Sequence, residues 1–250
     1  MGKLFDIQNL SVTLQGKYLY KNLNFTLNEA DRYIYWGPNG CGKSLLLELI
    51  FFGHNQDIQK RYKGLKLESG QILDKEGRDL LNPANHDFNT MRKVVYLSQT
   101  EEPYRNLTVK EQCMQSCNSM QITWDESKLD YLLGEFGLKD KKNKKIGHRL
   151  SPGEGKIIHI ISRILKLKVA DIFLLDEPLN YLSFHNSKVF NKVMTEEIKQ
   201  NPALSMIMIS HCKAATFPTK AMEYNNQNHT VTFPLDYQAY NCFSDVGEIR

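Results

Sequence analysis

The chain opens with short runs in which apolar and polar positions alternate: Leu4-Phe5-Asp6-Ile7, Leu19-Tyr20 and Leu23-Asn24-Phe25-Thr26-Leu27. A period of two sets one face against a core and leaves the other wet, so these runs predict antiparallel, half-exposed strands. Tyr33-Ile34-Tyr35-Trp36 has no polar interruption and predicts a buried strand. Ser44 to Phe52 crowds its leucines as a buried helix does, with Glu48 the one charge among them. Residues 53 to 68 are polar without a clear period and are expected to form an irregular insertion. Val94-Val95-Tyr96-Leu97 predicts another buried strand, ending at Ser98-Gln99. From Thr108 to about Phe136 the pattern turns helical, with Val109, Cys113, Cys117 and Met120 on one face and Leu129, Leu132, Leu133 and Phe136 continuing it. Residues 170 to 176 and 204 to 210 read as two more buried strands with a helix, Asn186 to Gln200, between them. This alternation implies parallel β-α units, and the helical block between the two halves reads as an inserted subdomain.

Three strings within this pattern carry chemistry. Gly37-Pro38-Asn39-Gly40-Cys41-Gly42-Lys43-Ser44 fits G-x-x-x-x-G-K-[ST] and lies between a predicted strand and a predicted helix, the context the motif requires. Its glycines let successive N–H groups point into one anion-sized nest, and the helix start adds unpaired donors. Lys43 would then reach the β- and γ-phosphates, and the Ser44 hydroxyl would ligate Mg²⁺. Asp176 and Glu177 follow Ile172-Phe173-Leu174-Leu175, so a strand delivers two carboxylates to the sheet edge where ligands of parallel sheets bind. Leu150-Ser151-Pro152-Gly153-Glu154 has the form of a helix start, with Ser151 as N-cap, Pro152 first and Glu154 closing a capping box. Cys41 lies inside the glycine loop, where backbone donors and Lys43 favour a thiolate; a small inert side chain is the other reading, and both stand.

In this order the three strings resemble the ATP-binding cassette (ABC) ATPases, and the resemblance covers nearly the whole chain. It implies an α/β P-loop NTPase (RecA-like) core with an antiparallel β subdomain and an inserted α-helical subdomain. Residues 1–100 and 150–215 would form the nucleotide-binding core, 101–149 the helical subdomain and 216–250 a C-terminal extension. It further implies that ATP and Mg²⁺ are the cofactors. Gly37, Asn39, Gly40, Cys41, Gly42, Lys43, Ser44 and Leu45 would hold the nucleotide. Ser151 and Gly153, in the position of the family's LSGGQ signature, would face the γ-phosphate bound by a partner cassette. Asp176 would hold magnesium through water, together with Ser44 and Gln99, and Glu177 would polarise the attacking water. Gln99 matches the family's Q-loop, and His211, after Met208-Ile209-Ser210, matches its switch histidine. Three positions depart from the family pattern. Pro152 replaces a glycine, Ser183 stands where the D-loop usually ends in aspartate, and the adenine-stacking aromatic would fall near Leu14, with Tyr18 as a substitute.

The resemblance makes the chain the ATP-hydrolysing subunit of an ABC transporter, pairing with a second cassette, as homo- or heterodimer, and driving separate transmembrane permease subunits. A soluble ABC ATPase of the iron–sulfur assembly type is the alternative. The cargo and its direction stay open.

Composition adds limits. The 250 residues are 41% hydrophobic and 24% charged, ordinary globular values, and a net charge of +4 gives no reason to expect a nucleic-acid partner. The basic run Lys139 to Lys145 reads as a solvated loop, with anionic lipid headgroups as the other possibility. The richest apolar stretch, Leu45 to Phe52, is far shorter than the roughly 20 residues a membrane span needs. The opening Met-Gly-Lys-Leu-Phe-Asp lacks the apolar core of a signal peptide. Five cysteines without metal-ligand spacing fit a reduced compartment, and Cys113 and Cys117 read as packed side chains one helical turn apart. The expected location is cytoplasmic, peripheral at the inner face of the cell membrane.

Overall fold

Two long strands, β1 (Lys3–Leu14) and β2 (Lys17–Asn28), open the chain as an antiparallel hairpin. Its two-residue turn has Gln15 and Gly16 both at positive φ, 51° and 77°, which matches the twist of the flanking strands. In the computed structural model, residues 2–85, 93–99, 104–180, 182–210 and 215–234 are described. A third strand, β4 (Leu65–Asp74), pairs antiparallel with the other edge of β1, giving the order β2-β1-β4. Gly70 in β4 has φ +88°, and a Cβ there would lie 2.5 Å from the Asn9 carbonyl, so only glycine lets the strands approach this closely.

The expectation of an irregular insertion at 53–68 is overturned. Helix α2 (Gln56–Arg61) occupies its middle, and β4 begins at Leu65. Asn55 starts α2 by accepting hydrogen bonds from the Asp57 and Ile58 amides. Six residues with one buried apolar side chain, Ile58, are too few to print a helical period.

The second sheet has six strands in the order β5-β6-β7-β3-β8-β9. Strands β3 (Arg32–Trp36), β5 (Val94–Leu97), β6 (Ile172–Asp176), β7 (Ser205–Ile209) and β8 (Lys220–Asn225) run parallel, and β9 (Thr230–Thr232) pairs antiparallel with β8. Every residue of β6 and β7 is buried, which explains their unbroken apolar runs. Strand β8 lies within the segment read as a C-terminal extension, yet it pairs directly with β3.

Each face of this sheet closes a separate core. Phe173 and Leu175 of β6 face one cluster with helices α3 (Val109–Asn118), α4 (Glu126–Glu135), α6 (Pro152–Ile164) and α7 (Phe184–Gln200). Ile172 and Leu174 face the other, where the leucines of helix α1 (Lys43–Phe52) pack between the two sheets, Leu46, Leu47 and Leu49 each 0% exposed. The helical block after Thr108 is two helices rather than one pattern. Gln121 at φ 53° turns the chain, and Asp125 restarts it by accepting from the Lys128 amide. Met120 keeps helical spacing from Cys117 beyond the end of α3 at Asn118, which hides the break in the sequence. The short helix α5 (Ile146–Arg149) leads into α6.

Lys139 and Lys145 of the basic run are exposed, and the lysines between them form surface ion pairs. Lys142 pairs with Glu126 at 2.7 Å and Asp130 at 2.6 Å, Lys144 with Asp140 at 2.9 Å, and Lys141 with Glu154 at 3.4 Å. These pairs offset part of the run's charge at the surface, in keeping with a solvated turn.

Candidate functional site

The strand register decides where the chemistry collects. Leu97 pairs with Leu175, Asp176 with Ile209, and Tyr35 with Ile209, so the chain leaves β5, β6, β7 and β3 at one edge of the sheet. Those exits are Ser98-Gln99, Glu177, Ser210 and the glycine loop. Ligands of parallel sheets sit in the crevice outside such ends.

The glycine loop spans the gap from β3 to α1. Pro38, Asn39 and Gly40 are exposed, whereas Cys41, Lys43 and Leu45 are buried. Gly37 is needed for space: a Cβ there would fall 2.6 Å from Cβ of Tyr224 on β8. Gly42, at φ 102°, is the N-cap of α1 and offers no side chain to its first-turn amides. Those amides therefore remain available to an anion. Leu45 buries its side chain in the core, so only its backbone amide could serve a phosphate. Lys43 folds back, its Nζ donating to the Gly37 carbonyl at 2.7 Å and the Pro38 carbonyl at 2.8 Å. The loop thus closes on its own cation.

The structure weighs against a Cys41 thiolate. It is 5% exposed, and burial pushes its thiol up, outweighing the pull of Lys43 and the backbone donors in the opposite direction. The small, packed reading holds. Cys113 and Cys117 are likewise buried in the helical core.

Across the crevice, the Ser44 hydroxyl donates to Asp176 Oδ1 at 3.1 Å. Asp176 is 3% exposed, and burial pushes its carboxyl up to about 6, helped by the neighbouring Glu177 and opposed by the Ser44 hydrogen bond. A buried carboxylate beside a hydroxyl is a hard oxygen pair of the kind that binds Mg²⁺ together with phosphate oxygens. These residues fit that ion. Glu177 has φ 49°, a left-handed conformation that costs a side chain of the order of 1 kcal/mol. Its amide donates to the Ile209 carbonyl at 3.1 Å, holding it at the β6–β7 edge. Gln99 Nε2 donates to Glu177 Oε2 at 3.0 Å, and the Asn180 amide reaches the same oxygen. The Ser44–Asp176 and Gln99–Glu177 pairs therefore lie side by side at the end of β6, joined through the chain between Asp176 and Glu177. His211 lies outside the described residues.

The helix start at Ser151 forms as its sequence reads. Ser151 Oγ accepts from the Glu154 amide at 3.2 Å, and Glu154 Oε2 accepts from the Ser151 amide at 2.7 Å, with Pro152 in the first turn. The Ser151 amide and Lys141 hold the Glu154 carboxyl below its ordinary value. Ser151 is exposed, and nothing lies within 4 Å of where a Gly153 Cβ would be, so this helix head opens outward. No contact joins Ser151 or Gly153 to the loop cluster of the same chain among the described residues. Ser183 caps α7 by accepting from the Asn186 amide at 3.2 Å, a role an aspartate would fill equally well. Tyr18 is 39% exposed with the Lys21 ammonium 4.7 Å from its ring centre, and Leu14 is half-buried against the antiparallel core.

Some residues of the cluster escaped the motifs. Lys156 on α6 sends Nζ to the Ser98 carbonyl at 3.3 Å and the Gln99 carbonyl at 3.4 Å. Asn180 reaches Glu177 from three residues away, a spacing that was a usable signal once Glu177 was suspected. Beneath the loop, buried Glu48 pairs with Arg61 of α2, and the Tyr62 and Tyr96 hydroxyls are held neutral mainly by burial, with the nearby carboxylates adding to it. No sequence spacing links these four.

Residues 20–180, nearly two-thirds of the chain, match the family described as ABC transporter. The chain belongs to the ABC transporter family. It is 28% identical over 212 residues to the spermidine/putrescine import ATP-binding protein PotA of Mycoplasma mycoides, covering 83% of this chain and 54% of that protein. The chain thus spans about half the length of that relative. It is 26% identical over 229 residues to the ergothioneine transport ATP-binding protein EgtV of Helicobacter pylori, covering 89% of this chain and 98% of that protein. A solved ATP-binding subunit of an ABC transporter superposes with a TM-score of 0.70 at 18% identity, over 92% of this chain and 89% of that one. That likeness shows the ABC cassette fold, the P-loop core with its antiparallel β subdomain. No described helix is long and apolar enough to cross a membrane.

Proposed function

We propose that this ABC-family chain is the ATP-hydrolysing subunit of a transporter, closing with a second cassette on Mg-ATP to drive separate membrane subunits. One observation carries the reading: two hydrogen-bonded pairs, Ser44–Asp176 at 3.1 Å and Gln99–Glu177 at 3.0 Å, meet at the end of β6 beside the glycine loop, because Asp176 and Glu177 are consecutive residues. The relatives named above are ATP-binding proteins of import and transport systems, and that likeness supports the transport role.

The roles follow from the geometry. The loop amides and the uncapped start of α1 receive the phosphates, and Lys43 leaves the Gly37 and Pro38 carbonyls to reach the β- and γ-phosphates. Ser44, Asp176 and Gln99 would hold Mg²⁺, which would neutralise charge on the phosphate oxygens. Glu177 orients the attacking water as its general base. His211 is assigned the γ-phosphate contact by its place after β7. The exposed head of α6, with Ser151 and Gly153, is assigned to the site of a second cassette, a reading supported by its outward-opening geometry. The work then lies with a protein that stays beside the membrane through its permease partners.

Composite sites are tested by complementation. Ser151→Arg blocks the docking face, and Lys43→Ala damages the nucleotide loop, so each variant alone is expected to be inactive. Mixing them in a homodimer rebuilds one site with native motifs on both sides and should restore a fraction of the ATPase rate. Hydrolysis that stays linear with concentration into the monomer range, with no recovery on mixing, would contradict it.

A further inference from the structure

Helix α6 carries at its head the residues that face outward, Ser151 and Gly153, and on its second turn Lys156. Lys156 Nζ reaches back to the last residues after β5, donating to the Ser98 carbonyl at 3.3 Å and the Gln99 carbonyl at 3.4 Å. The Ser98 backbone is buried at the strand end, and the exposed Gln99 extends from it to place Nε2 3.0 Å from Glu177 Oε2. A continuous chain of bonds therefore runs from the docking helix, through one ammonium and one amide, to the carboxylate that must accept a proton from water.

The Gln99 contact opposes that task. A carboxylate oxygen already accepting an amide hydrogen bond is a weaker acceptor for water. In the conformation seen here, the general base is occupied. A helix is a stiff element, so a shift of its head is felt one turn further on, whereas carbonyls held by a charge-assisted hydrogen bond follow the cation that holds them.

We propose that Lys156 is a positioning residue that couples the head of α6 to Gln99, so that engagement of Ser151 and Gly153 by a partner's nucleotide draws the Gln99 amide off Glu177 Oε2, leaving the Asn180 side-chain amide on that oxygen and raising its capacity to accept from water. The inference rests on the ATPase reading given above and adds to it a residue outside the three strings. Lys156 touches neither nucleotide nor water in this scheme. It acts through Gln99, and its removal should leave nucleotide affinity alone while slowing turnover.

The test is a double-mutant cycle read in kcat and KM for Mg-ATP, using the full chain. Lys156→Met should lower kcat roughly tenfold, as expected for losing a charge-assisted bond, and change KM by less than about twofold. Lys156→Arg, which keeps the charge and donors, should restore most of the rate. In a Gln99→Ala background the same Lys156→Met change should cost less than about twofold, because the amide it moves is gone. An unaltered kcat in Lys156→Met, or an equal loss with and without Gln99, overturns the proposal. Should Lys156→Met fail to fold, as judged by its melting temperature, Lys156→Gln enters the same cycle. A wild-type chain without Mg-ATP hydrolysis overturns the functional reading and this inference together. Hydrolysis that needs Glu177 but ignores position 156 overturns this inference alone.

Discussion

Asp176 and Glu177 are adjacent in sequence, and their surroundings separate them. Asp176 is the last buried residue of β6 and meets the Ser44 hydroxyl, whereas Glu177 turns out of the strand at positive φ toward Gln99 and Asn180. That division suits one to a cation and the other to water. The motif residues of the loop and of β6 were legible because phosphate and metal chemistry restrict which residue types can serve there. Lys156, Asn180 and the Glu48–Arg61 pair were not, because their partners are brought close only by the fold. Cys41 shows the limit from another side: its charged neighbour was readable and its burial was not. The structure predicts that a maleimide at neutral pH labels Cys41 far more slowly than in the denatured chain, with or without Mg-ATP, as read by mass spectrometry at that residue. Rapid labelling of the native chain would contradict the burial.

The elements divide by how much of their cause is local. Helix α6 begins with a capping box whose four residues spell its own start, and it forms as they dictate. Ser151→Ala should therefore cost about 1 kcal/mol of stability, a drop of a few degrees in melting temperature measured by calorimetry. No change beyond error would mean the cap contributes nothing to the helix. The buried strands β3, β5, β6 and β7 were legible for a related reason, since burial on both faces demands an unbroken apolar run. Helix α2 and strand β4 were not, because one is six residues long and the other is half-exposed along its length. The break between α3 and α4 was hidden by a coincidence of spacing, and only the positive φ of Gln121 reveals it.

For the molecule as a whole, alternating strands and helices announced a parallel sheet, but not the order β5-β6-β7-β3-β8-β9 that places β3 between β7 and β8. That order is set by long-range pairing, and it is what brings the glycine loop beside Asp176 and Glu177. It also carries β8 into the sheet, where Tyr224 limits position 37 to glycine. In the function proposed above, this edge hydrolyses ATP with Glu177 as base while the chain is closed against a second cassette. Glu177→Gln keeps the shape and removes the carboxylate. The measurement is hydrolysis and bound nucleotide on that variant, with its mass followed by light scattering in Mg-ATP. Hydrolysis is expected to fall at least about a hundredfold, uncleaved ATP to stay bound, and the 29.0 kDa chain to accumulate in its closed, paired form. Hydrolysis near the wild-type rate in Glu177→Gln would contradict it.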